Sequence, residues 1–331
     1  MLTLLVVKEN LKVFYSKYAT ILNISIKFVL ALICLLIINS NMSYLEAAKN
    51  IYLIIIISIF CSVLPYGAIA TILSIYILAN IYKVSLEMTL VVAVFLLITA
   101  ILYYSFSPKD AYVLILTPVL FTLKIPYVLP FILGLGGSLV SIVPVSCGIF
   151  MYYLFIYIKQ NLSSLINSTS VEVTQRYTQM LNAIIGNKLM ILMIIAFAVT
   201  IVSIYLIKKL SIDYVRTIAL VSGLVILLIV IFVGNILFAV SLPILELIVG
   251  TIISILIAYI YDFFILTVDY TRTEFTQFED DDYYYYVKAV PKLSLKASDK
   301  KVQNFTNSSQ EKKVKNFTNS SQEKKLRKRT Y

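Results

Sequence analysis

The chain has 331 residues, 60% of them hydrophobic, a net charge of +11, and neither histidine nor tryptophan. That apolar share stands far above the roughly 45–50% of soluble domains, and the mean hydropathy of +0.91 agrees, which excludes an ordinary soluble protein. The missing histidine excludes HExxH zinc chemistry and any Ser-His or Cys-His nucleophile.

The charge is uneven. Residues 293–331 hold eleven Lys and Arg against three Asp and Glu, so +8 of the +11 lies in that tail. A basic tail beside a membrane suits anionic lipid heads, at ~1 kcal/mol per cation near the surface. The expected partners are therefore the lipid bilayer and its anionic lipids, with room for a protein partner, and not nucleic acid. Cys34, Cys61 and Cys147 lie inside apolar runs without ligand spacing and read as small buried residues. No metal site, no cofactor and no catalytic residue is indicated, and an enzyme is the least favoured class.

In chain order, residues 1–21 begin with an apolar run too short for a signal-peptide core. They read as an amphipathic helix on the membrane surface with Lys8, Lys12 and Lys17 toward lipid heads. A helical membrane domain over 22–268 follows, since runs of about twenty apolar residues match a bilayer core. Unbroken spans are predicted at 22–38, 87–104, 139–158, 189–207, 217–238 and 244–266. In the polar segment 159–188, the stretch VEVTQRYTQMLNAIIG has helix-forming periodicity and is expected to lie at the membrane interface.

Two further apolar stretches, 51–84 and 111–137, are interrupted by proline and glycine: IIIISIFCSVLPYGAIATILSIYILANIY and VLILTPVLFTLKIPYVLPFILGLGG. Basic flanks place the N-terminal segment, the IKKLSIDYVR link and the C-terminal tail on the cytoplasmic side of the cell membrane. The number of crossings is then even. Both broken stretches cross, giving about eight transmembrane helices, or both re-enter, giving six plus two hairpins. Kinked spans are the simpler reading, because membrane helices tolerate proline. Paired hairpins entering from opposite sides are the arrangement of inverted-repeat transporters.

Ionisable and breaking residues inside the apolar region are the substrate-pathway candidates: Pro65, Gly67, Lys124, Pro126, Asn235 and Glu246. Each has a plainer role. Lys124 snorkels if its break lies near an interface, Glu246 favours a helix N-terminus by charge alone, and Asn235 bridges helices. Gly134, Gly136 and Gly137 lack the strand–helix context of a phosphate loop and read as packing glycines.

After the last span, 269–292 reads as a cytosolic β-hairpin, with EDDD as its tip. Tyr283, Tyr284, Tyr285 and Tyr286 put two rings on each face of a strand and are the partner-binding candidates. Residues 293–331 carry a tandem repeat, KVQNFTNSSQEK then KVKNFTNSSQEK, whose polar basic composition predicts disorder.

The segment TRTEFTQFEDDDYYYYVKAVPK resembles the region after the last span in a group of uncharacterised multi-pass membrane proteins of clostridia-like, low-GC bacteria. KKLSIDYVRTIA at 208–219 and SPKDAYVLILTPVLFTLKIPYVLP are similar to segments of the same group. The resemblance covers most of 50–292 and implies a bacterial inner-membrane protein without supplying an activity. The sequence reading is thus an all-α polytopic membrane protein, with a scaffolding role that presents the hairpin to a partner. The alternative is a secondary transporter or flippase with its site at the two broken stretches.

Overall fold

Proline and polar caps divide the apolar sequence into helices of unequal length. The computed structural model describes residues 2–42, 50–167, 178, 181–240, 243–266, 274–279 and 284–289. In chain order these include α1 (Leu2–Asn41), α2 (Ile51–Val63), α3 (Tyr66–Tyr82), α4 (Leu86–Phe106), α5 (Ala111–Thr122), α6 (Val128–Gly136) and α7 (Ile142–Asn167). There follow α8 (Lys188–Ile207), α9 (Val215–Phe238), α10 (Ile244–Tyr261), β1 (Glu274–Glu279) and β2 (Tyr284–Ala289). Residues 11–293 form one packed unit, to which the following description belongs.

Among the described residues, six helices are long and apolar enough to cross a membrane: Val13–Asn41, Leu86–Phe106, Leu139–Gln160, Leu181–Ile207, Val215–Phe238 and Ile244–Ile265. The chain is a multi-pass, all-α membrane protein in its apolar region. Within α1, non-helical backbone at Tyr18 marks a kink between two helical segments.

The direction of each helix follows from its side-chain partners. Lys208, at the end of α8, donates from Nζ to the carbonyls of Leu135 and Gly137 at 2.9 and 3.1 Å. Ser141 donates to Asp110 Oδ2 at 2.7 Å, and Tyr103 donates to the Pro108 carbonyl at 2.6 Å. These groups define one face of the bundle, face A. On the other, face B, Lys159 donates to Asn41 Oδ1 at 2.7 Å, and Met42, Ile81, Met88 and Ile158 share one buried cluster.

The two broken stretches occupy this frame as hairpins. Lys27 of α1 donates to the Leu64 carbonyl at 2.9 Å, and the rings of Tyr66 and Tyr112 lie 6.2 Å apart, so the Pro65 break sits toward face A. From there α3 runs to Ile81 at face B. α2 lies back along α1, its Ile54 and Cys61 packed in one cluster with Ala31, Cys34, Leu35 and Ile38. Stretch 51–84 therefore opens toward face B.

Stretch 111–137 is its inverse. Along α5 and α7 the contacts advance together: Asp110 with Ser141, Thr117 against Gly148, Phe121 on Tyr152 at 4.7 Å between ring centroids. α5 thus runs parallel to α7. α6 runs parallel to α8, with Tyr127 beside Phe197 at 6.1 Å and Gly134 against Ile204. Because Phe121 touches both Tyr152 and Phe197 while Gly137 meets Lys208, α7 and α8 are antiparallel. α5 and α6 are then antiparallel as well. Both ends of the stretch lie on face A, so it turns back at its tip, whereas the Pro65 break of 51–84 lies level with Tyr103 and Tyr104 toward face A.

Helices of the core close in on one another at three glycines. Gly134, Gly148 and Gly223 admit Ile204 and Thr117 so closely that a methyl group in their place would sit 2.5 to 2.7 Å from the neighbouring side chain. Beyond the last span, β1 and β2 pair antiparallel with Tyr285 opposite Phe278 and Tyr286 opposite Gln277.

Candidate functional site

The tip of the α5–α6 hairpin carries the charge. α5 ends at Thr122, and the chain turns through Leu123, Lys124, Ile125 and Pro126 before α6. Lys124 adopts φ +62°, a left-handed conformation that a side chain disfavours and glycine takes freely. The turn is closed by Lys124 N–H donating to the Phe121 carbonyl at 3.1 Å and Ile125 N–H donating to the Leu120 carbonyl at 3.0 Å. Pro126 contributes its carbonyl, which accepts from Leu129 N–H at 3.2 Å.

The depth of this tip follows from α10, which runs alongside α6. Gly250 faces the Lys124 carbonyl and the Tyr127 ring, while Tyr261 reaches Gly136. Between Gly250 and Tyr261 lies about 16 Å of helix at 1.5 Å per residue. The hairpin therefore ends close to half-way across a core of about 30 Å. This is the position at which non-helical backbone occurs only against protein or a water-filled space.

From the tip, Lys124 reaches toward face B and places Nζ 2.6 Å from Glu246 Oε1. Glu246 lies in the first turn of α10, whose N-cap is Pro243 without a side-chain cap. A carboxylate there also gains from the helix dipole. The two side chains are 68% and 46% exposed, so the pair faces out of the protein packing instead of being enclosed. Beneath it lies an aromatic floor. Tyr152 is within electrostatic reach of both charges and stacks edge-on with Tyr153 at 5.4 Å, and Phe121 sits between Tyr152 and Phe197.

A second feature adjoins this floor. An apolar cavity of about 120 Å³ lies between the two hairpins, bounded by α1, α3, α4, α5 and α7. The hydroxyls of Thr71, Ser74, Thr99 and Thr122 on its wall each donate to a carbonyl of their own helix, so they offer no free donor to a guest. Thr122 and Tyr152 stand at the end nearest the ion pair.

The candidates drawn from the sequence divide accordingly. Lys124 and Glu246 come together although 122 residues apart, and Pro126 shapes the same tip. Pro65 and Gly67 belong to the other hairpin, where Pro65 is the N-cap of α3 and Gly67 lies against Tyr103 and Tyr104 and lines the cavity. Asn235 is elsewhere, near the end of α9, its Oδ1 buried without a hydrogen-bond partner among the described residues. Tyr283 lies outside the described residues, and Tyr284 is 64% exposed. Sequence reasoning missed Tyr127, Tyr152 and the cavity, because tyrosines in apolar helices carry no signal of what they face.

Among the described residues, no cluster of His, Cys, Asp and Glu could hold a metal ion. Comparison with protein-family models, with characterised proteins and with solved structures finds no match.

Proposed function

We propose that this chain is a transporter or flippase in which the tip of the α5–α6 hairpin is the substrate station. The observation that carries this reading is the Lys124–Glu246 pair, at 2.6 Å, on a hairpin that turns back part-way through the apolar layer. The pair joins a tip inside the apolar layer to the first turn of α10 near face B, and an ionisable residue carried into that layer is a candidate for a functional role. The ends of the two broken stretches on opposite faces are also the relation that inverted-repeat transporters use. The positive-inside rule, applied to the basic flanks at Lys109, Lys208, Lys209 and Arg216, favours face A as the cytoplasmic side. The pair then looks toward the outside in the state described.

Two-sided water access tests the proposal. Leu123 adjoins Lys124 and is exposed, so Leu123→Cys in a background lacking Cys34, Cys61 and Cys147 leaves the ion pair intact. An impermeant thiol reagent should modify it from either side of the membrane, at rates that change with conformation. Modification from one side alone, or none, contradicts transport.

A second reading, a scaffold that presents the β1–β2 hairpin to a partner from the cytoplasm, draws on the exposed Tyr284. Deleting residues 271–292 separates the two. Two-sided access survives the deletion if transport is the role, and recruitment of a partner is lost if scaffolding is.

A further inference from the structure

The cavity between the hairpins and the ion pair at the tip share a wall, and their chemistries are complementary. The cavity wall is apolar, with its threonine and serine hydroxyls already satisfied, so it suits a hydrocarbon guest. Dry apolar cavities of comparable size, about 150 Å³, take up apolar molecules. Thr71 and Tyr104 on its rim are exposed on the outer surface of the bundle, so the space communicates with the surrounding lipid. At its other end, past Thr122 and Tyr152, stands the ammonium of Lys124. An apolar slot leading to a cation is the shape of an amphiphile with an acidic head.

We propose that the site takes a membrane phospholipid, with a short segment of one acyl chain in the cavity, the rest of that chain leaving past Thr71 and Tyr104, and its phosphate on Lys124 in place of the Glu246 carboxylate. The proposal rests on the transport reading and names its substrate class. Both oxyanions present the same charge and acceptor atoms to Nζ, so exchange of one for the other leaves the lysine paired. Tyr152 and Tyr127 lie close enough to the exchange to interact electrostatically with Glu246.

The test uses the purified full chain and native mass spectrometry, with phosphatidylglycerol and diacylglycerol of identical chains as competing probes. The wild type should retain phosphatidylglycerol about fivefold over diacylglycerol, the share expected of one cation. Lys124→Leu should abolish that preference, and Lys124→Arg should keep it. Lys83→Leu, a cation removed from face B away from the tip, should leave it unchanged. Filling the cavity by Ala100→Phe, or independently by Ala70→Leu, should lower retention of both probes together. An unchanged preference in Lys124→Leu, or wild-type retention in both filled variants, overturns the proposal. Equilibrium retention is independent of movement. A cavity without phospholipid removes this inference and leaves two-sided access standing, whereas one-sided access removes transport whichever lipid is bound.

Discussion

Lys124 and Lys208 are the two cations that tie the α5–α6 hairpin down, one at its tip and one at its mouth. Lys208 neutralises the carbonyls of Leu135 and Gly137 at the end of α6. Those carbonyls have no helical partner at a helix C-terminus. Lys208→Met should therefore lower unfolding free energy by about 1–3 kcal/mol in a detergent-denaturant titration. Burial, then the neighbouring charges of Lys209 and Arg216, hold the Lys208 ammonium below the usual lysine range. The sign follows. The unfolded chain binds more protons through the window beneath the ordinary lysine pKa of about 10.4, so this group's contribution to stability rises with pH there. The stability difference between wild type and Lys208→Met should widen as pH climbs through that window. At the tip, φ +62° makes Lys124→Gly gentler on the turn than Lys124→Leu, since only glycine takes it without penalty. Thermal melts of the two variants should rank glycine above leucine, while both lose the ion pair.

At the scale of elements, the hairpin is held by small residues that let helices close in. Gly134 meets Ile204 Cβ at a distance where an added methyl would stand 2.7 Å away. Ile204 is β-branched and fully buried, so it cannot swing aside. Gly134→Ala should destabilise by about 1–3 kcal/mol through overpacking, read by the same titration. Much of this level was legible beforehand. The long spans announce themselves by about twenty unbroken apolar residues, and the prolines at 65 and 126 mark both breaks. What local sequence leaves open is whether a broken stretch continues or returns. Proline and glycine interrupt the helix in either case, and the direction afterwards depends on contacts such as Thr117 with Gly148 and Tyr127 with Phe197. The partnership of Lys124 with Glu246 was hidden for the same reason. Each looked sufficiently explained alone, one by snorkelling and the other by the helix dipole, and only the packing of α6 beside α10 brings them together.

For the whole molecule, the central claim concerns the two broken stretches: the ends of 51–84 lie on face B and the ends of 111–137 on face A. Charge parity required the two broken stretches to share one behaviour, and it accepted either eight crossings or six plus two returns. The contacts at Asp110 and Lys208 return stretch 111–137 to face A, and the contact at Leu64 brings the Pro65 break toward the same face. Lys83 then belongs to face B, and Lys109 shares face A with Lys209, so the prediction concerns loops that tolerate substitution. The decisive measurement is impermeant-thiol labelling of Lys83→Cys, Lys109→Cys and Lys209→Cys, each placed singly in a background free of the three native cysteines. The account predicts that positions 109 and 209 label from one side, the cytoplasmic one, and position 83 from the other. Labelling of position 83 from the same side as 209, or of position 109 from the opposite side, would contradict it.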